Sequence, residues 1–325
     1  PSVSDINKNL KNTSKITNKE IEISVDMSSR NAWESFLMTY LDDIPFTYIG
    51  KGEQAIIKTN LALGNKKAST AGVVLVEEPE NHLSHAKMNE LISYIRKHCS
   101  GKQVIISTHS SFVANKLGLS KLLLLNESNV LKLSELNATT EAYFESLPGY
   151  NTLRLILCNK AILVEGPSDE LVVQRAYLDK HEKLPIEDSI DVISAYNLSF
   201  LRFLEIADKL ALNVCVVTDN DGDVSALQNK YAAYLNRSNI KICFDSNVDS
   251  FPTEIEGKPY NCNTLEPKLL KSNSLQVFNR VLSKSFSKDE DLLKYMKSNK
   301  TDCALAIFKS KTKINYPKYI LDAIQ

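Results

Sequence analysis

Three apolar runs in this chain end in clustered acids, and those ends are where chemistry is expected. Val73–Val76 runs into Glu77-Glu78, Leu163-Val164 into Glu165-Gly166-Pro167-Ser168-Asp169, and Val216–Thr218 into Asp219-Asn220-Asp221-Gly222-Asp223. Two acids closing a strand suit a nucleotide site. The first (Glu77) would hold Mg²⁺ through water, and the second (Glu78) would activate the attacking water. About thirty residues on, Val104–Ser107 leads into Thr108-His109, a histidine at the end of a neighbouring strand that could touch a γ-phosphate. Gly50-Lys51-Gly52-Glu53-Gln54 opens a helical stretch, and backbone N–H groups at a helix start can meet phosphate oxygens. The other two ends suit a metal centre. Asp219 and Asp221 lie two apart, so on extended chain their side chains share a face. Glu165 would approach from a neighbouring strand, with Asp169 one turn into the next helix. Oxygen-only donors favour Mg²⁺ or Mn²⁺. Each feature also has an ordinary reading: surface acids, a structural histidine, a turn, or a first-turn acid facing a helix dipole. A calcium loop does not fit, because Val224 and Lys230 stand where an EF-hand needs Gly and Glu.

These ends need a scaffold. Residues 1–18 read as a loose end or stray helix, and Ile21–Val25 alternates as a strand. A helix is expected from about Asn31 to Leu41, with Trp33, Phe36, Leu37 and Tyr40 on one face, and another over Glu53–Leu63 with Gly64 as its stop. Gly72–Val76 and Gln103–Ser107 read as buried parallel strands, separated by a helix over His85–Cys99 and followed by one over Ser111–Leu117. Leu122–Leu125 and Val130–Leu133 flank a hairpin turn. Residues 136–157, with Pro148-Gly149, form a connection. Then β and α alternate: strands Ala161–Val164, Ile190–Ser194, Asn213–Thr218 and Ile240–Phe244, with helices near Asp169–Asp179, Ser199–Leu210 and Val224–Leu235. Such a rhythm predicts a parallel sheet with right-handed crossovers and a mostly helical tail.

Gly50, Gly52, Glu53 and Gln54, then Glu77-Glu78, Glu80–Leu83 and His109 resemble, in order and spacing, the signature, Walker B, D-loop and switch histidine of ABC-type ATPases. Glu77 replaces the commoner Asp, and Lys51 interrupts the signature. No G-x-x-x-x-G-K-[ST] loop occurs. That absence, with a first residue Pro1 rather than Met, leads us to expect a longer protein whose Walker A lies upstream, and no ATP hydrolysis by this chain alone. The Glu-Gly and Asp-x-Asp strand ends resemble the Toprim fold. An ABC-type ATPase followed by Toprim resembles the OLD (overcoming lysogenisation defect) nucleases, including the nuclease subunit of the Gabija anti-phage system. The expected fold is therefore α/β: the C-terminal part of an ABC-type ATPase domain (1–135), a connection (136–157), and a Toprim domain with a four-stranded parallel sheet, flanking helices and a helical C-terminal extension (158–325). The resemblance implies two further elements, matched by Thr264-Leu265-Glu266 and by Lys300. It thus implies metal ligands Glu165, Asp169, Asp219, Asp221, Thr264 and Glu266. Glu165, Asp219, Asp221, Glu266, Lys300 and the ATPase's Glu78 would be catalytic, and Gly50, Gly52, Glu53, Glu77, Glu78 and His109 would bind nucleotide. Asp223 is a spare acid.

The implied activity is two-metal cleavage of double-stranded DNA, regulated by ATP with Mg²⁺ in the full-length protein. It implies a homo-oligomer, because the signature of one ATPase subunit meets the Walker A of another, and a helicase-like partner by analogy with Gabija. Composition is compatible. In 325 residues, 39 Lys+Arg balance 39 Asp+Glu, so any field is local. From Pro267 to Lys313, ten Lys and one Arg face four acids, a net of +7 and a candidate DNA surface. Six scattered cysteines without a C-x-x-C pair exclude a zinc ribbon and suggest a reducing, cytoplasmic compartment. No apolar run approaches a membrane span. Two other readings stay open: a Toprim topoisomerase or primase, and a non-catalytic, ATP-dependent DNA-binding or regulatory module whose acids hold structural metal.

Overall fold

The computed structural model of the chain describes residues 4–5, 7, 21–25, 37–126, 129–132, 136–146, 154–156, 158–195, 200–249, 254–255 and 258–325. It divides into two units, Pro1–Leu117 and Gly118–Gln325. The expectations for most of residues 1–18, for residues 31–36 and for Pro148-Gly149 lie outside the described residues.

In the first unit, β1 (Ile21–Val25) pairs antiparallel with β2 (Leu37–Leu41), which pairs with β3 (Ile44–Pro45). The helix expected to reach Leu41 is therefore corrected over 37–41. Cross-strand pairing with β1 overrides a spacing that fits a helical face equally well. β4 (Val73–Glu77) and β5 (Gln103–Ser107) pair parallel as expected, with Glu77 opposite Ser107, but they are not buried: Val73, Leu75 and Ile105 are exposed, because the following helix covers only the face that carries Val74, Val76 and Val104. The helix His85–His98 buries Leu91 and Ile95 against Val74, Val76 and Val104. The helix Lys51–Gly64 begins where the glycines predict.

In the second unit β6 (Leu123–Asn126) and β7 (Asn129–Lys132) pair antiparallel as the expected hairpin, while β8 (Lys160–Val164), β9 (Ile190–Ser194), β10 (Asn213–Val217) and β11 (Ile240–Cys243) form a four-stranded parallel sheet in the order β11-β10-β8-β9. β8 and β10 are central and almost wholly apolar, as strands covered on both faces must be. One face packs on Val172, Val173, Phe278, Met296 and Ile320, and the other on Phe144, Phe200, Phe203, Leu204 and Tyr231. After β9 the chain crosses to the far side of β8, so strand order reverses between β8 and β10. In open α/β sheets a crevice for ligands forms at the carboxyl ends of such a pair. At the opposite end of the sheet, the last helix (Lys318–Ala323) is latched down. Lys160 Nζ donates to the carbonyls of Ala323 (3.2 Å) and Gln325 (3.1 Å), and Lys241 Nζ to that of Asp322 (2.6 Å). Among the described residues no helix is long and apolar enough to cross a membrane.

Candidate active site

At the end of β4 the chain turns sharply, with Glu78 (φ 43°) and His82 (φ 64°) in the left-handed region. Such conformations cost about 1 kcal/mol or more and persist where the surroundings enforce them. Here the Glu78 amide donates to Ser107 O (2.9 Å), the Asn81 amide side chain to Glu78 Oε2 (2.6 Å), and His109 Nδ1 lies 3.5 Å from Glu78 Oε1. Glu80 ties the two strand ends together, accepting from Thr108 Oγ1 (2.6 Å) and the His109 amide (3.1 Å). Glu77, Glu78 and His109 thus meet at one edge. Gly50 caps the helix Lys51–Gly64, and Glu53 sits in its first turn. A Cβ at Gly52 would stand 2.3 Å from the carbonyl oxygen of His82, so this glycine permits close packing of helix start on turn.

The second site is denser. Glu165 leaves β8 and Asp219 leaves β10, which are adjacent strands in register. Glu165 Oε1 accepts from Thr218 Oγ1 (2.7 Å) and the Asp219 amide (3.0 Å). Asp219 Oδ2 accepts from the Leu265 amide (3.1 Å), so it caps the helix Leu265–Ser272 from outside and fixes where Glu266 enters. Asp169 Oδ2 accepts from the Gly166 amide (3.1 Å) at the start of the helix Pro167–His181. Asp221, also left-handed (φ 48°), accepts from the Asn261 side chain (3.2 Å). Glu266 is buried, and Lys300 Nζ stands 3.4 Å from its Oε1, while Lys297 lies over the ring of Tyr260. Thr264 occupies the cap position before Leu265, within reach of the Tyr260 hydroxyl. Asp223 does something else: it caps the helix Val224–Lys230, accepting from the Ala226 amide (2.8 Å).

The crowding has an electrostatic signature. Burial, then Glu165 and Glu266, push Asp169 up to about 7. Burial, then Asp169, Glu165, Glu266 and Asp221, hold Asp219 well above the usual carboxylate range. So much negative charge on oxygen donors fits a hard divalent cation, which would relieve the repulsion. Among the described residues no three acidic, histidine or cysteine side chains already surround one point at ligand distance. One oxygen of each of Glu165, Asp169, Asp219 and Asp221 is held by a backbone or side-chain donor, which fixes the carboxylate and leaves its second oxygen for a cation.

The groups that hold these acids in place carry no motif of their own. Thr218, buried, aims Glu165. Asn220, also buried, donates to the carbonyls of Asp245 (2.6 Å) and Asn247 (3.0 Å). Lys268, counted above in the basic segment, is buried against Asp245 and Asp249 and is no part of a surface. A polar residue beside each motif was the only available signal.

Family models match two stretches: residues 6–115 as "AAA domain, putative AbiEii toxin, Type IV TA system", and residues 156–221 as "Overcoming lysogenization defect protein-like, TOPRIM domain". No curated protein matches the chain. Among solved structures, the C-terminal region of the Xanthomonas campestris pv. campestris OLD protein, in a crystal phased with platinum, is 18% identical over 53% of this chain and 92% of that one, with a TM-score of 0.37. A mercury-phased crystal of the same region is 21% identical over 51% and 93%, with a TM-score of 0.35. The carboxyl ends of β8 and β10 lie in the second matched stretch, and those of β4 and β5 in the first. The chain carries an AAA-type ATPase domain followed by an OLD-like TOPRIM domain.

Proposed function

We propose that this chain is the nuclease-bearing part of a metal-dependent DNA endonuclease, governed by its ATPase domain and serving anti-phage defence in the cytoplasm. Its TOPRIM and ATPase domains support a nuclease-type or DNA-processing function. The observation that carries the finer reading is the meeting of Glu165, Asp169, Asp219, Asp221 and Glu266, with Lys300 beside Glu266, at the carboxyl ends of β8 and β10. Glu165, Asp169, Asp219, Asp221 and Glu266, with Thr264 at the rim, would hold Mg²⁺ or Mn²⁺. When bound, such ions supply an activated water and stabilise the leaving oxygen of a phosphodiester. The protein's own part is placement. Thr218 and the Asp219 amide orient Glu165, the Leu265 amide orients Asp219, and Lys300, half exposed, offers a cation to charge building on the phosphate. Glu77, Glu78 and His109, with Gly50, Gly52 and Glu53, supply half of an ATP site. The other half, with its Walker A, would come from upstream sequence, and the complete site from pairing of two subunits. Double-stranded DNA is the substrate in this reading, and a helicase-like partner, as in Gabija, belongs to it by resemblance.

Cleavage of supercoiled plasmid with Mg²⁺ or Mn²⁺ by the full-length protein tests it. Asp219→Ala should lower the rate by roughly a thousandfold or more, the loss of several kcal/mol of transition-state stabilisation, while circular dichroism stays unchanged. Equal cutting by parent and Asp219→Ala would falsify the reading.

A further inference from the structure

Behind the acids lies a lysine whose surroundings resemble a cation site. Lys268 is only 3% exposed. Its Nζ donates to Asp245 Oδ2 (2.6 Å), Asp249 Oδ2 (2.8 Å) and the Asn247 carbonyl (3.1 Å), so all three ammonium donors are used. Burying an ammonium costs several kcal/mol before its partners repay it, which makes an ordinary surface role for this side chain untenable.

The three acceptors belong to one segment, 245–249, which leaves the carboxyl end of β11. That segment is bonded to two of the three pieces of chain that carry the candidate ligands, the Asp219–Asp221 turn and the approach to Glu266. Asn220, between Asp219 and Asp221, donates to the Asp245 and Asn247 carbonyls. Asn263, just before the helix that bears Glu266, exchanges two bonds with Asp249: its Oδ1 accepts from the Asp249 amide (2.7 Å) and its Nδ2 donates to the Asp249 carbonyl (3.0 Å). Lys268 itself lies two residues after Glu266 on the helix Leu265–Ser272. Two residues on an α-helix turn through about 200°, so Lys268 points away from Lys300 and Glu266 and into the 245–249 segment. Because a helix turns as one body, pinning Lys268 fixes the direction in which Glu266 points.

We propose that Lys268 is a positioning residue: its ammonium is a built-in cation that locks segment 245–249 between the Asp219–Asp221 turn and the Glu266 helix, and so sets the carboxylates for divalent metal. The inference rests on the nuclease reading. Groups that orient metal ligands from behind typically govern metal affinity or activity by about 10–100-fold.

The test compares the parent full-length protein with Lys268→Met, Lys268→Arg, Asn220→Ala and Asp219→Ala. Mn²⁺ binding is measured by titration calorimetry without DNA, plasmid cleavage is followed as Mn²⁺ is varied, and hydrogen exchange is read over 245–249. Lys268→Met and Asn220→Ala should weaken Mn²⁺ binding about 10–100-fold and raise the Mn²⁺ needed for half-maximal cleavage by the same factor. KM for DNA at saturating Mn²⁺ should not move, and exchange over 245–249 should rise. Lys268→Arg, which keeps the cation, should recover most of the affinity. A folded Lys268→Met with parental Mn²⁺ affinity overturns the inference. If that variant does not fold, parental affinity in Asn220→Ala overturns it instead. A parent that binds Mn²⁺ through Asp219 yet never cuts DNA sinks the nuclease reading alone, and the affinity comparison still decides the role of Lys268. A parent without Mn²⁺ binding that depends on Asp219 sinks both.

Discussion

Asp169 carries the clearest consequence of crowding carboxylates at a strand end. Its folded carboxyl titrates near 7 against an ordinary 3.8, through burial and then Glu165 and Glu266. Between those two values the folded chain holds a proton that the unfolded chain has released, so stability rises as pH falls from about 8 toward 4. Asp249 works in the opposite sense: Lys268 and then Lys271 hold it below the ordinary range, and its contribution is lost only below about pH 4. Urea denaturation in EDTA should therefore give an unfolding free energy about 1–3 kcal/mol higher at pH 5 than at pH 8, a figure discounted for the partial exposure of the site. Mg²⁺ at pH 8 should close the gap. A profile flat from pH 5 to 8 would remove the crowding argument. At this scale the acids themselves were legible, because a carboxylate after an apolar run is conspicuous. Their holders were not. Lys268 looks like any lysine in a Lys-rich stretch, and its burial depends on Asp245 and Asp249, about twenty residues away. No local pattern encodes that.

Elements were read best where a strand is covered on both faces. Lys160–Val164 and Asn213–Val217 fall within a residue of where their apolar runs place them. They were read worst where two periodicities compete: Leu37–Leu41 is a strand because Ile21–Val25 lies beside it. The helix from Val224 ends at Lys230 instead of continuing to Leu235. Close packing between elements yields a stability prediction at Gly52. Alanine there gains about 1 kcal/mol of helix propensity, but its Cβ would meet the His82 carbonyl oxygen at 2.3 Å, and backbone cannot swing aside as a side chain can. Overpacking of this kind costs about 1–3 kcal/mol, so the clash outweighs the propensity gain. Gly52→Ala should lower the denaturation midpoint of the ATPase unit by an amount worth about 1 kcal/mol. A raised midpoint would show that the turn yields freely.

Over the 325 residues the net charge is zero, so under the proposed nuclease reading any DNA affinity would come from a local excess. The segment 267–313 supplies one, reduced by Lys268, which is buried, and by Lys271, which is bonded to Asp249 (2.6 Å). Lys297 lies over the ring of Tyr260, itself beside Thr264, and in the proposed reading it would meet a phosphate there. Plasmid binding should weaken steeply with salt, and Lys297→Ala should lower the slope of log affinity against log salt by about one. An unchanged slope would take Lys297 off the DNA surface.

The latch of Lys160 onto the Ala323 carbonyl joins positions 163 residues apart. A ribosome adding about 5–20 residues per second delivers the second partner roughly 10–30 s after the first. During that interval all four strands of the parallel sheet emerge, yet their lower ends have nothing to close them and the apolar face meant for Ile320 stays wet. The sheet is therefore closed at that end only once the helix Lys318–Ala323 has been made, and nascent chains stalled short of Tyr319 would be the form that chaperones and proteases meet.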